Sequence, residues 1–125
     1  GNSWGAMMYE VGATITTEAW DFEQKPNMSW AHPWAAAPVN IIPRWLFGIR
    51  PVDAGWSRFI IAPQPGGLEW ATIKLPTPKG QVTASFETSR DGKVSLSFDI
   101  PTGCLALVDG REYTESGRIV LDMIR

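Results

Sequence analysis

The chain has 125 residues, a length for one domain or one domain with a short appendage. Its 11 Lys and Arg against 13 Asp and Glu leave a net charge of −2 and no basic run, which argues against nucleic acid or an anionic membrane as a partner. The apolar stretches are too short to span a bilayer, no charged start precedes an apolar run as in a secretory leader, and the single cysteine, Cys104, excludes an internal disulfide.

Residues 3–11 are helix formers with few β-branched members, and they predict a helix that stops at Gly12. Residues 13–30 hold no sustained period and include Pro26 and Asn27, so they predict a long loop; its tryptophans argue for function rather than disorder. A second helix is predicted to begin near His32 or Pro33, since proline suits a first turn. Trp34, Ala35, Val39, Ile42, Trp45, Leu46 and Ile49 follow at spacings of three and four. Pro38 and Pro43 fall inside that pattern, so this helix must be kinked or broken. Gly48 is its stop, and Pro51 follows. Trp4 and Trp45 are assigned to helix packing. Two helices of this size cannot bury a core together. They predict a hairpin taken from a larger helical assembly, whose exposed apolar surface is expected to fold onto the sandwich, pair with a second copy or leave the segment partly disordered.

From about Gly55 the period changes from 3.6 to 2. Arg58–Ala62 and Leu68–Leu75 are predicted strands, the second with Leu68 and Trp70 inward and Ile73 inward after an irregularity, which makes Trp70 a core residue. Pro76–Gly80 reads as a turn. Gln81–Thr88 alternates with Val82, Ala84 and Phe86 on one face; Asp91-Gly92 is a hairpin turn; Lys93–Ile100 places Val94, Leu96, Phe98 and Ile100 on one face. Leu105–Val108 and Ile119–Ile124 complete six strands, joined by a polar stretch over 109–118. Cys104 begins an apolar run and reads as a small buried hydrophobe. The fold class is therefore mainly β: an antiparallel β-sandwich preceded by a short helical segment with a long loop.

The chemistry concentrates in residues 14–34, where Glu18, the only histidine (His32), Trp20, Trp30 and Trp34 stand together. A carboxylate can activate water, an imidazole can bond a hydroxyl, and indole faces can stack on a pyranose ring. One carboxylate cannot hydrolyse a glycoside alone, because the usual mechanism uses two. From the residues by themselves, Glu18 reads first as a solvated loop carboxylate, His32 as a cap or packing residue, and the tryptophans as core. Asp21 and Glu23 read as surface charges or supports for Glu18. Arg44, near a helix end, favours the helix dipole or pairs with a carboxylate. No residues stand at metal-ligand spacing and no Gly-rich phosphate loop occurs, so no metal or cofactor is expected.

Thr14-Ile-Thr-Thr-Glu18-Ala-Trp20-Asp21, with Lys25-Pro-Asn, Ser29-Trp-Ala-His32-Pro-Trp34, Ala37-Pro-Val-Asn-Ile-Ile-Pro-Arg44 and Gly48-Ile-Arg-Pro51, resembles glycoside hydrolase family 78, the α-L-rhamnosidases. Ile61-Ala-Pro-Gln-Pro65 and Lys74-Leu-Pro-Thr-Pro-Lys-Gly80 extend the resemblance over residues 5–85. It implies that residues 1–50 are the last helices and an active-site loop of an (α/α)6 barrel and that residues 51–125 are the sandwich that follows it. It further implies inverting hydrolysis of terminal α-L-rhamnose from a rhamnose-containing glycan, with the general base at Glu18 and a sugar-contacting histidine at His32. Thr17 stands where that family often has tryptophan, and the family's general acid lies upstream of anything in this chain. A segment of this kind is expected to be inactive by itself. A non-catalytic β-sandwich accessory or carbohydrate-binding module is the alternative expectation.

Overall fold

Ser3 starts the first helix, α1 (Trp4–Tyr9), its hydroxyl accepting the Ala6 N–H at 3.0 Å. The computed structural model describes residues 1–122, in two compact units, Gly1–Asn40 and Ile41–Arg125.

In the first unit α1 ends two residues before the expected boundary, and the Glu10 and Val11 N–H groups both return to the Ala6 carbonyl. Residues 10–32 hold neither helix nor strand, as the missing period over 13–30 foretells for most of them. Ala6, Met7, Ala13 and Met28 are the buried apolar side chains here, and Thr17 is the buried polar one. The second expected helix is broken into three pieces: a 3-10 turn over Pro33–Ala35, α2 (Ala37–Ile41), and a π-type turn over Ile42–Leu46. Proline is the cause. Pro38 and Pro43 lack N–H groups, and the Pro43 ring rejects the carbonyl four residues back, so the ladder widens until the Phe47 N–H donates to the Ile42 carbonyl at 3.1 Å.

The apolar stripe of this segment is largely open. Trp34 is 75% exposed, Val39 77% and Trp45 52%. Trp45 is therefore not packed in a helix interface, contrary to expectation; the Arg50 guanidinium lies 5.7 Å from its ring centre. Arg44 sits exposed in the last helical turn. Gly48, at φ +62, ends the segment, and the Ile49 N–H turns back to the Pro43 carbonyl at 2.8 Å.

The second unit is a sandwich of two four-stranded sheets. One contains β1 (Arg50–Pro51), β2 (Arg58–Ile60), β6 (Leu105–Val108) and β7 (Arg111–Tyr113), in the order β1-β2-β6-β7. The other contains β3 (Trp70–Thr77), β4 (Gly80–Thr88), β5 (Lys93–Asp99) and β8 (Gly117–Asp122), in the order β3-β4-β5-β8. Among the described residues eight strands stand where six are expected, because β1 and β7 are too short to carry a sequence period. Of the expected strand 119–124, residues 123 and 124 lie outside the described residues. One pairing is parallel, β2 with β6, so the sandwich is not antiparallel throughout.

The largest correction concerns β3. Trp70 is 68% exposed and Leu68 is exposed as well, while Ala71, Ile73 and Leu75 turn inward. The register explains this: Ala71, Ile73 and Leu75 stand opposite Phe86, Ala84 and Val82, all buried on β4, so Trp70 falls on the other face beside Glu87. Strand β3 also runs through Pro76 into the expected turn. It is an edge strand, where a missing N–H is tolerated. Both sheets close on one core of Phe47, Ile49, Phe59, Ile61, Val82, Ala84, Phe86, Val94, Leu96, Phe98, Cys104, Ala106 and Val108. Cys104 is the small buried hydrophobe that its surroundings predict.

Candidate functional site

Within the first unit, residues 16–18 lie against residues 29–32. The Glu18 N–H donates to the Ser29 carbonyl at 2.9 Å, the His32 N–H to the Thr16 carbonyl at 2.8 Å, and the Thr16 hydroxyl to the His32 carbonyl at 3.1 Å. The β-branched run Ile15-Thr16-Thr17 favours this extended backbone. Thr17 is fully buried, its hydroxyl donating to the Ala19 carbonyl at 2.7 Å. A tryptophan could not occupy that position without displacing its neighbours.

Both oxygens of the Glu18 carboxyl are held. Oε2 accepts the Ser29 N–H at 2.9 Å, and Oε1 accepts the Lys25 ammonium. The Glu18 side chain is 18% exposed. Lys25 arrives through a tight turn: the Asp21 carboxylate accepts the Gln24 N–H at 2.9 Å, the Asp21 carbonyl accepts the Lys25 N–H at 3.4 Å, and the Met28 N–H donates to the Lys25 carbonyl at 3.0 Å. The hydrogen bond from Lys25, then that from the Ser29 N–H, hold the Glu18 carboxyl below its ordinary value of 4.5. Burial opposes them, and the charges of Lys25 and His32 reinforce them. The group is ionised at neutral pH.

Glu18 opens on a depression of about 240 Å³ lined also by Trp4, Met7, Thr17, Ala19, Trp20, Trp34 and Ala35. Trp4 meets Trp20 edge-on, ring centres 5.3 Å apart, and its Nε1–H donates to the Ala35 carbonyl at 2.7 Å. The depression thus gathers Glu18, Trp20 and Trp34. His32 joins through its ring, 4.4 Å from that of Trp34. Trp30 does not line it; it packs on Phe22 at 5.0 Å. Among the described residues no group of His, Cys, Asp and Glu is placed to hold a metal ion.

Such a site can take a proton from a water molecule held between an ionised carboxyl and aromatic walls. Lys25 and Ser29 are the residues that sequence reasoning misses as partners of Glu18. The one available signal is the Asp21-x-x-Gln24 turn, which returns the chain toward position 18.

The family model described as "Bacterial alpha-L-rhamnosidase C-terminal domain" matches residues 48–118. No curated protein matches the chain. Among the solved structures that resemble it are three α-L-rhamnosidases. The α-L-rhamnosidase from Aspergillus terreus superposes with a TM-score of 0.75 at 21% identity, over 94% of this chain and 16% of that one. The α-L-rhamnosidase from Dictyoglumus thermophilum gives 0.65 at 27% identity, over 81% of this chain and 12% of that one. The α-L-rhamnosidase from Streptomyces avermitilis complexed with L-rhamnose gives 0.67 at 25% identity, over 86% of this chain and 11% of that one. The chain therefore spans less than a fifth of the length of each.

Proposed function

The chain belongs to the bacterial α-L-rhamnosidase C-terminal domain family, and on that premise we propose that it is the C-terminal segment of an inverting α-L-rhamnosidase acting on terminal α-L-rhamnose of glycosides or polysaccharides. Glu18 is the general base. It activates a water on the face of the sugar opposite the leaving group, and its carboxyl stands about 6.5–9.5 Å from the general acid, as inversion requires. The acid comes from the remainder of the enzyme. His32 contacts a sugar hydroxyl, and Trp20 and Trp34 wall the site. The single observation that supports this reading best is the Glu18 carboxyl, held by two donors and lining a depression with Trp4, Trp20 and Trp34. The 125-residue chain lacks the acid and is inactive alone.

Two assays test the proposal. Rhamnoside hydrolysis by the isolated chain should be at background. In an enzyme that carries this segment, Glu18→Gln should lower kcat by a factor on the order of 10³ or more, with inversion shown by NMR of the first-formed rhamnose anomer. Turnover by the isolated chain, or full activity after Glu18→Gln, rejects it.

One observation favours a second reading, a non-catalytic carbohydrate-binding sandwich. The outer face of the β3-β4-β5-β8 sheet carries the exposed Trp70 beside Glu87, and next to it the row Thr72, Ser85 and Ser97. Saturable quenching of tryptophan fluorescence by rhamnosyl oligosaccharides, lost in Trp70→Ala and kept in Glu18→Gln, would establish that reading.

A further inference from the structure

We infer that Lys25 is the positioning residue for the Glu18 carboxyl: it pins Oε1 while the Ser29 N–H pins Oε2, and the lone pairs left over serve the depression walled by Trp4, Trp20 and Trp34. The inference rests on the reading of Glu18 as a base.

A carboxylate offers about four acceptor sites. Here one on each oxygen is taken, by a side-chain and a backbone donor four residues apart on the same loop. With both oxygens tied, the carboxyl cannot spin about its last bond, and the remaining sites point in fixed directions. An exposed lysine–glutamate pair has little directional value, because two long side chains must be immobilised for a weak attraction. This pair is different on two counts. The Glu18 side chain is mostly covered, and the backbone at Lys25 is fixed by the turn from Asp21 and by the Met28 N–H. The arrangement also sets the working range of the base. A nearby cation keeps the carboxyl ionised at acid pH, so activity persists further into the acid range, at some loss of basicity. Lys25 and His32 are the charged or titratable groups acting on Glu18, and both act in that direction.

The test uses the 125-residue chain labelled with carboxyl-¹³C glutamate, with the Glu18 signal assigned by its absence in Glu18→Gln. Lys25→Met should move the Glu18 titration to higher pH, and Lys25→Arg should return it toward the parent value. Lys25→Gln serves for the same measurement if the methionine variant does not fold, and tryptophan fluorescence reports folding in each case. In an enzyme carrying this segment, Lys25→Met should lower kcat on the order of tenfold, leave KM within about twofold, and shift the acid limb of the pH–rate profile upward; Lys25→Arg should restore the limb. An unmoved Glu18 titration, or an arginine variant no better than methionine, overturns the inference. Failure of the underlying reading is a separate result: Glu18→Gln then keeps full turnover whatever Lys25 does.

Discussion

Gly48 and Ala62 meet so closely that a β-carbon at position 48 would lie 2.0 Å from the Ala62 carbonyl oxygen. The backbone at Gly48 is also left-handed, at φ +62. Glycine is thus required twice, for its conformation and for the room it leaves. Gly48→Ala should cost about 2–4 kcal/mol, combining the left-handed penalty with overpacking against backbone that cannot retreat. Urea denaturation followed by circular dichroism measures this as a lower midpoint at unchanged slope.

The exposure of Trp70 and the burial of Phe86 make a paired prediction. Phe86 is 1% exposed and packs 5.3 Å from Phe47 between ring centres. Phe86→Ala should destabilise the sandwich by about 3–5 kcal/mol. Trp70→Ala should change stability by no more than about 0.5 kcal/mol, as for other surface sites. Equal losses in thermal melts of the two variants would contradict the register described for β3.

Acid should loosen the loop around Glu18 before it unfolds the sandwich. The folded carboxyl titrates below its ordinary value, held there by Lys25 and then by the Ser29 N–H. A depressed carboxyl contributes stability that is fully present above the unfolded value near 4.5 and is lost as pH falls through the folded value. Tryptophan fluorescence between pH 6 and 2 should show a transition beginning below about pH 4.5, as Trp4, Trp20 and Trp34 report on the depression. In Lys25→Met the transition should start at higher pH. Asp91, held low by the Ser89 hydroxyl, adds a slope of the same sign from the β4–β5 turn.

The open apolar side chains of residues 1–40 predict association. Met8, Tyr9, Ile15, Trp34 and Val39 are each more than half exposed. Light scattering after gel filtration should give a mass that rises with concentration. Val39→Lys together with Tyr9→Lys should return it toward the 13.8 kDa of a single chain. A concentration-independent monomer of the parent sequence would rule this out.

The parts of the fold that were legible in the sequence are those where one local rule sufficed. Val82, Ala84 and Phe86 alternate, Val94, Leu96 and Phe98 alternate, and Asp91-Gly92 stands between them; β4 and β5 follow directly. Strand β3 misleads because Trp70 dominates the hydrophobicity of its segment while the pairing with β4 assigns the inner face to the residues of opposite parity. The parallel union of β2 with β6 leaves no local trace, since its partners lie far apart in the chain. Much the same holds in the loop. Glu18, Trp20 and Trp34 come together as their types suggest, but the two donors that fix the carboxyl are an ordinary lysine and a backbone N–H, neither marked by its residue type.

The pairing of Arg58-Phe59-Ile60 with Leu105-Ala106-Leu107 orders events during synthesis. Strands β3, β4 and β5 can assemble hairpin by hairpin as they leave the ribosome, whereas β2 must wait for more than forty further residues before its second neighbour exists. Until then Phe59 sits on an unprotected border, open to any other extended strand nearby. A nascent chain arrested before Leu105 is therefore the form of this protein most exposed to misassembly.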